Sequence, residues 1–162
     1  SGTGLEINKN IGSYNQKKSS EFMKVCKKFK LLSKEHNGDY LKVNDIKNWF
    51  HLGLNAINIA PEFGFIETKC ILEDIKERAD KDSYQKLFEI CYESKKWEKW
   101  IPEKKVNYFY QNNKNVFIHT ACHYVFANPA VQEIINKNEE INLKINPTLR
   151  KKIRELLCAI KP

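Results

Sequence analysis

Several sequence features that mark common functional classes are missing from this chain of 162 residues. No apolar run approaches the roughly 20 residues that a membrane-spanning helix requires, so no segment is expected to cross a bilayer. Glycine-rich phosphate loops, Gly-x-Gly-x-x-Gly fingerprints and Gly-x-Ser-x-Gly elbows do not occur, which lowers the expectation of an enzyme. With only 6 glycines, 5 prolines and 12% aromatic residues, the composition is that of a folded domain and not of a disordered segment.

The cysteines are odd in number, widely spaced and never separated by only two residues. A structural zinc site normally needs Cys-x-x-Cys pairs, so neither a metal nor another cofactor is predicted. Apolar neighbours at helical spacing are typical of reduced, buried thiols in an intracellular, cytoplasmic protein. The five cysteines are Cys26, Cys70, Cys91, Cys122 and Cys158.

Positive charge is concentrated at the two ends of the chain. Residues 1–34 carry eight lysines and two acids, and residues 144–162 carry six lysines or arginines and one acid. The segment between them has a net charge of −3. Two basic ends around a mildly acidic body predict a surface that binds an anionic partner. The partner-binding residues predicted in these ends are Lys24, Lys27, Lys28, Arg150, Lys151, Lys152 and Arg154.

Hydrophobic spacing predicts an all-α fold with minimal strand. Residues 1–16 show no sustained period and are expected to form a flexible lead-in. Residues 17–162 are expected to form a single compact domain of about seven short helices. The first helix is predicted to run from a cap at Ser19 or Ser20 to about Lys34. Lysines cover most of it, and its apolar stripe consists of Phe22, Val25, Cys26, Phe29 and Leu32.

Proline, glycine and apolar spacing predict several later boundaries. Pro61 and Gly64 are expected to lie in a connection, with the next helix opening at Thr68. Asn128 and Pro129 have the residue types of an N-cap and a first helical position. The alternation of Ile141, Leu143 and Ile145 predicts a short strand, followed by a last helix that begins at Asn146-Pro147.

Helix pairs joined by short extended pieces resemble EF-hands, so the acidic turn at Asp80 is a candidate calcium loop. Asp80 and Asp82 occupy positions 1 and 3 of such a loop. Gln85 replaces the required glycine, and Cys91 replaces the bidentate glutamate. The expected helix pairs are therefore EF-hand-like but lack calcium ligands.

Two histidines one helical turn apart, His119 and His123, enclose Cys122. Helical metal sites use this spacing, but Thr120 stands where the zincin pattern has a glutamate, and no third ligand is evident. A nucleophilic pair of Cys122 with a neighbouring histidine is a second hypothesis. Adjacent residues on a helix point in different directions, which argues against a pair of Cys122 with His123. Structural roles for all three residues are the favoured interpretation, because site assignments from a single sequence mostly fail.

Residues 95–100 interleave lysines with two tryptophans, a pattern that can stack bases while it neutralises phosphates. Trp97 and Trp100 are therefore further candidates for partner binding. The favoured interpretation is that these two rings, three residues apart, anchor a helix end in the core.

Residues 22–92 resemble the tubulin polymerization-promoting protein family. The resemblance is carried by Gly38 and Tyr40-Leu41 before a helix with Trp49 and Phe50, by a helix opening at Thr68, and by Tyr84-Gln85-x-x-Phe88. It implies an EF-hand-like helical array that has lost its calcium ligands. It also implies a cytoskeletal partner with acidic tails, such as tubulin in microtubules.

The expected function is that of a non-enzymatic interaction module that binds an acidic partner. A nucleic-acid-binding helical domain that uses the basic ends and the two tryptophans is one alternative. An enzyme that uses Cys122 with His119 or His123 is the other.

Calcium is expected to leave the melting temperature unchanged. A ligand that binds only the folded state stabilises it by RT ln(1 + [L]/Kd), so millimolar calcium would have a conspicuous effect at a sensor-grade site. Thermal unfolding with calcium and with a chelator measures this. A rise of several degrees that the chelator reverses would contradict the absence of calcium ligands.

Overall fold

The computed structural model describes residues 5–12 and 15–160. Within those ranges the chain forms eight α-helices, one short 3-10 helix and four two-residue strands, which confirms the predicted all-α class with minimal strand. In the segment predicted as a lead-in, β1 (Leu5–Glu6) pairs with β2 (Lys9–Asn10). The expectations for residues 1–4 and 13–14 lie outside the described ranges.

Internal contacts divide the chain into two compact units. Of the described residues, 9–12, 15–60 and 150–160 belong to the first unit together with Leu5, and residues 6–8 and 61–149 form the second. The elements of the first unit after β2 are α1 (Gln16–Lys28), β3 (Lys34–Glu35), α2 (Val43–His51) and β4 (Ala56–Ile57). The second unit holds α3 (Pro61–Glu77), α4 (Lys81–Glu93), a 3-10 helix (Lys96–Lys99), α5 (Glu103–Asn112), α6 (Asn115–Val125) and α7 (Pro129–Asn136). The last helix, α8 (Ile141–Ile160), begins in the second unit, and its residues from Arg150 onward belong to the first.

Helix α1 begins and ends earlier than predicted. Its N-cap is Asn15, whose side chain accepts a hydrogen bond from the backbone N of Lys18 at 2.9 Å, so no cap at Ser19 or Ser20 is needed. The helix ends at Lys28, and Lys30 adopts a left-handed φ of 53° that a continuing helix excludes. The predicted end at Lys34 was therefore wrong, and Lys34 lies in β3 instead.

In the first unit, β3 and β4 form a short parallel pair, with Lys34 opposite Ala56 and Glu35 opposite Ile57. Gly38 allows its own backbone to lie close to Ile57 of β4, because a Cβ atom at position 38 would lie 2.4 Å from Cγ1 of Ile57. Helix α2 buries Ile46 and Trp49, and the Trp49 indole Nε1 donates to Oγ of Ser19 at 2.8 Å. Because the indole N–H of Trp49 has an acceptor, its burial leaves no hydrogen-bond donor unsatisfied.

The core of the second unit is built around α6, which packs on α3 and α4. Phe117, Ile118, Ala121 and Cys122 of α6 are fully buried. Full burial of a side chain of the size of Phe117 contributes about 1.5–3 kcal/mol.

Helix α3 begins at Pro61, so the predicted connection through Pro61 and Gly64 was wrong. Proline suits the first turn of a helix, where its fixed φ is favourable and no backbone donor is lost. Thr68 lies within the helix and not at its cap, since its hydroxyl donates to the backbone O of Gly64 at 2.7 Å.

The start of α7 confirms the predicted cap, because Oδ1 of Asn128 accepts from the backbone N of Ala130 at 2.9 Å. The predicted strand at 141–145 was wrong, since these residues open α8. Ile141 and Ile145 are four residues apart and both buried, whereas Leu143 is exposed. Ile141 and Ile145 fit the helical period as well as the alternation, and their packing in the second unit's core selects the helix.

Replacing Gly64 by alanine is expected to destabilise the protein by about 1–3 kcal/mol. Helix propensity alone would predict a gain of up to about 1 kcal/mol. The loss arises because the new Cβ would lie 2.5 Å from Cβ of His123 on α6. Urea denaturation of Gly64→Ala, of His123→Gly, which removes the Cβ atom of that contact, and of the double variant measures the coupling, and strict additivity of the two changes would contradict this contact.

Candidate functional site

Helix α1 leaves most of its apolar stripe in solvent. Phe22 and Val25 are each 51% exposed, and Phe29 directly after the helix is 62% exposed. Leu32, three residues further on, is 86% exposed. Of the predicted stripe only Cys26 is buried, so α1 adds little to the core of the first unit.

The same segment carries a dense array of cations. The only acidic residue between positions 17 and 32 is Glu21. None of the carboxylates in the described part of the chain forms a salt bridge with these lysines, and Nζ of Lys28 lies 5.5 Å from the ring centroid of Phe29. We call the exposed apolar side chains and lysines of this segment the α1 surface: Lys17, Lys18, Phe22, Lys24, Val25, Lys27, Lys28, Phe29, Lys30, Leu31 and Leu32.

A groove of about 540 Å³ borders this surface within the first unit. Lys17 and Lys24 line it together with Glu21, Ser20 and Leu52. The groove therefore presents two cations, one carboxylate and one apolar side chain beside α1.

The basic residues predicted near the C-terminal end combine charge with exposed apolar groups in the same way. Arg150, Lys151 and Arg154 are exposed on α8, and so are Ile153 and Leu157. Lys152 is only half exposed and interacts with other groups of the protein. These residues belong to the first unit, as do Lys24, Lys27 and Lys28.

The two tryptophans predicted as binding residues lie in the second unit, where Trp97 is buried. Trp97 is only 8% exposed, its Nε1 donates to the backbone O of Tyr92 at 2.8 Å, and its ring lies 5.1 Å from Phe117. Trp100 is half buried, and its backbone O accepts from Ile7 N at 3.0 Å. The interpretation that the ring anchors the core therefore explains Trp97, because other aromatic rings pack against its indole.

Cys122 does not form the hypothesised nucleophile–base pair with His119 or His123. The Cys122 side chain is fully buried and interacts with the thiol of Cys91. This hydrogen bond and burial raise the pKa of Cys91, which keeps that thiol protonated. Nδ1 of His119 and Nδ1 of His123 are buried and have no hydrogen-bond partner in the described structure. Neither imidazole is thus positioned as a base for Cys122.

Both histidines act instead as packing groups between α6 and α3. The ring of His119 lies 4.6 Å from that of Phe65, and the ring of His123 covers Gly64. Burial lowers the pKa of His119 to about 4, with a smaller contribution from the charge of Lys69. Burial also lowers the pKa of His123. At neutral pH both are therefore neutral side chains.

The candidate calcium loop at Asp80 is occupied by protein donors. Its two oxygens accept from the backbone N of Ser83 at 2.9 Å, from Nη1 of Arg78 at 2.9 Å and from Nζ of Lys137 at 2.9 Å. The bonds from Ser83 and then from Lys137 hold the pKa of Asp80 far below its usual range. Asp80 caps α4, and two cations already balance its charge. In residues 5–12 and 15–160, no group of three or more His, Cys, Asp or Glu side chains is arranged to hold a metal ion.

The exposure of the α1 stripe is the feature that the sequence analysis missed. A signal was present in the sequence, because lysines flank Phe22, Val25 and Phe29 closely and only Glu21 offers an opposite charge. Such crowding of cations around an apolar stripe is more typical of a binding helix than of a core helix.

Acid is expected to destabilise the protein through His119. An unfolded histidine takes up its proton near pH 6.5, whereas the folded His119 does so only near pH 4. The contribution of His119 to the free energy of unfolding is therefore fully present above pH 6.5. It falls by on the order of 2–3 kcal/mol as the pH drops to about 4. Urea denaturation of His119→Gln from pH 7 to pH 4 should show a smaller loss than the unmodified chain.

The matched control for this measurement is His51→Gln, since His51 is exposed. Its loss between pH 7 and pH 4 should equal that of the unmodified chain. Equal losses for all three proteins would mean that His119 titrates normally in the folded state.

None of the helices in the described ranges is long and apolar enough to span a membrane. No protein-family model, curated protein or solved structure matches the chain. The resemblance of residues 22–92 to the tubulin polymerization-promoting protein family therefore stays a prediction.

Proposed function

We propose that this chain is a non-enzymatic interaction module whose α1 surface binds an acidic protein segment that also carries apolar side chains. The observation that supports the proposal is the exposed stripe of Phe22, Val25 and Phe29 beside lysines without an ion-pair partner among the described residues. Large apolar side chains that cluster on a surface and are rimmed by polar groups are characteristic of protein-binding sites.

The two components of the surface have different roles in binding. Complete burial of an exposed side chain such as Leu32 contributes about 1.5–3 kcal/mol, and half-exposed side chains such as Phe22 contribute about half of that. The lysines accelerate encounter with an acidic chain and select against basic ones, more than they add affinity. An acidic segment with apolar residues at helical or alternate spacing would use both components.

Apolar character favours a protein partner over nucleic acid. Interfaces with DNA are more polar and more positively charged than those with proteins, and single strands are held by aromatic stacking. Here the exposed centre of the surface is aliphatic and phenyl, and the indole of Trp97 lies in the core of the second unit. Acidic tails of a cytoskeletal polymer such as the microtubule, the partner that the resemblance implies, are one segment of this kind.

Reversal of three lysines on the α1 surface is expected to weaken binding. The probe is a fluorescein-labelled 20-residue peptide of glutamate with leucine at every third or fourth position. Lys24→Glu, Lys27→Glu and Lys28→Glu together should raise its dissociation constant at least about tenfold, since each exposed ion pair contributes roughly 0.2–1 kcal/mol and is replaced by repulsion. Fluorescence anisotropy at low and physiological salt measures the effect, which should shrink as salt screens the charges.

The matched control changes the net charge equally on the second unit. Lys96, Lys99 and Lys104 are exposed there, and their reversal to glutamate should leave the dissociation constant within about twofold. Phe22→Ser with Phe29→Ser should weaken the leucine-containing peptide but not a plain glutamate peptide. Equal losses from both triple reversals, or tighter binding of duplex DNA or phosphatidylserine vesicles than of the peptide, would overturn the proposal.

A further inference from the structure

A second groove lies entirely within the second unit, along α3 and α4 and beside Asn115, the first residue of α6. Its volume is about 650 Å³, within the range of roughly 300–1,000 Å³ that is typical of small-molecule sites. We propose that this groove binds a small amphipathic anion, namely an apolar, preferably aromatic body that carries a single carboxylate or sulfonate group. The proposal concerns a different surface from α1 and does not depend on the function proposed above.

Apolar side chains form the least exposed part of the groove. Ile75 is buried, and Leu72 and Tyr84 are half buried. Ala79 lines the groove at the turn between α3 and α4. These groups provide an apolar surface of the kind that covers most of a ligand in small-molecule sites.

The charges around the groove favour an anion. Lys76 and Lys81 line it, both are exposed, and neither forms a salt bridge with a residue in the described ranges. Asp80 also lines the groove, but Arg78 and Lys137 already pair with its carboxylate. Two lysines against Asp82 leave an excess of one positive charge, which matches a ligand with one anionic group.

Polar groups near α6 can orient that anion. The hydroxyl of Tyr84 donates to Oδ1 of Asn115 at 2.8 Å, which directs the Asn115 amide and leaves its Nδ2 as a donor for a ligand oxygen. Burial raises the pKa of Tyr84, so the phenol stays neutral and does not repel an anion.

Contacts within the protein fix the turn that forms one wall of the groove. Ala79 has a left-handed φ of 51°, which is unfavourable for a residue with a Cβ atom. Arg78 holds this turn from both sides, because Nε donates to Asp74 at 2.8 Å and Nη1 donates to Asp80 at 2.9 Å. A preformed wall lowers the ordering cost of binding.

The test uses 8-anilinonaphthalene-1-sulfonate, a planar aromatic anion, in isothermal titration calorimetry with the full chain. Lys76→Gln with Lys81→Gln is expected to lower its affinity about tenfold. Gln85→Trp, which fills the groove from an exposed lining position, is expected to abolish binding. N-phenyl-1-naphthylamine, which has the same aromatic body without the sulfonate, should bind about tenfold more weakly and should be insensitive to the lysine changes.

Two control variants separate this groove from other apolar or basic surfaces. All variants are compared in a chain that also carries Phe22→Ser and Phe29→Ser, because the α1 surface itself pairs exposed apolar side chains with lysines and would bind the same sulfonate. In this chain, Lys99→Gln with Lys104→Gln removes the same charge from other exposed positions of the second unit, and Lys24→Gln with Lys27→Gln removes it from the α1 surface. Both should leave the affinity unchanged, and circular dichroism verifies that each variant is folded. Absence of sulfonate binding, equal losses in the control variants, or full binding to Gln85→Trp would overturn the proposal.

Discussion

Packing of α6 against α3 and α4 is the interaction on which the second unit depends. Phe117, Ile118 and Cys122 are fully buried, and each large side chain of this kind stabilises the fold by about 1.5–3 kcal/mol. Gly64 permits the close approach, since any Cβ atom there would meet His123. The same packing buries the Cys122 thiol and, through burial, keeps His119 neutral at neutral pH. The residues that most resembled a catalytic set in the sequence therefore pack in or against the core of the second unit.

The first unit shows the opposite relation between apolar sequence and burial. Helix α1 buries Cys26, whereas its side chains Phe22 and Val25 and the following Phe29 are exposed among lysines. A core helix of the same composition would have gained several kcal/mol by burying these three side chains. Under the proposed function, a partner that covers the stripe would gain this free energy, and the surrounding cations favour an acidic one. The two units therefore differ in burial: the apolar side chains of α6 are enclosed by neighbouring helices, whereas those of α1 are exposed.

Sequence reasoning predicted the helical class and those helices whose signals were unambiguous. The Asn128-Pro129 cap was predicted correctly, because its residue types satisfy the first backbone donors of a helix in any context. Ile141–Ile145 was predicted as a strand or extended segment, because Ile141, Leu143 and Ile145 alternate. Ile141 and Ile145 alone also fit the helical period, and only tertiary packing decides between the two structures. The charged part of the candidate surface was visible in the sequence, but the exposure of its stripe was not. A period shows which residues share a face and not whether another element covers that face.

The most direct test of the proposed interaction surface is a chemical-shift map of the acidic, leucine-containing peptide on the isotope-labelled full chain. The account predicts that amide shifts change at residues 17–32, with the largest changes near Phe22, Val25 and Phe29, and that the core amides of α6 stay unchanged. Shift changes confined to residues 61–149, or the absence of any change at saturating peptide, would contradict the claim that α1 is the binding element.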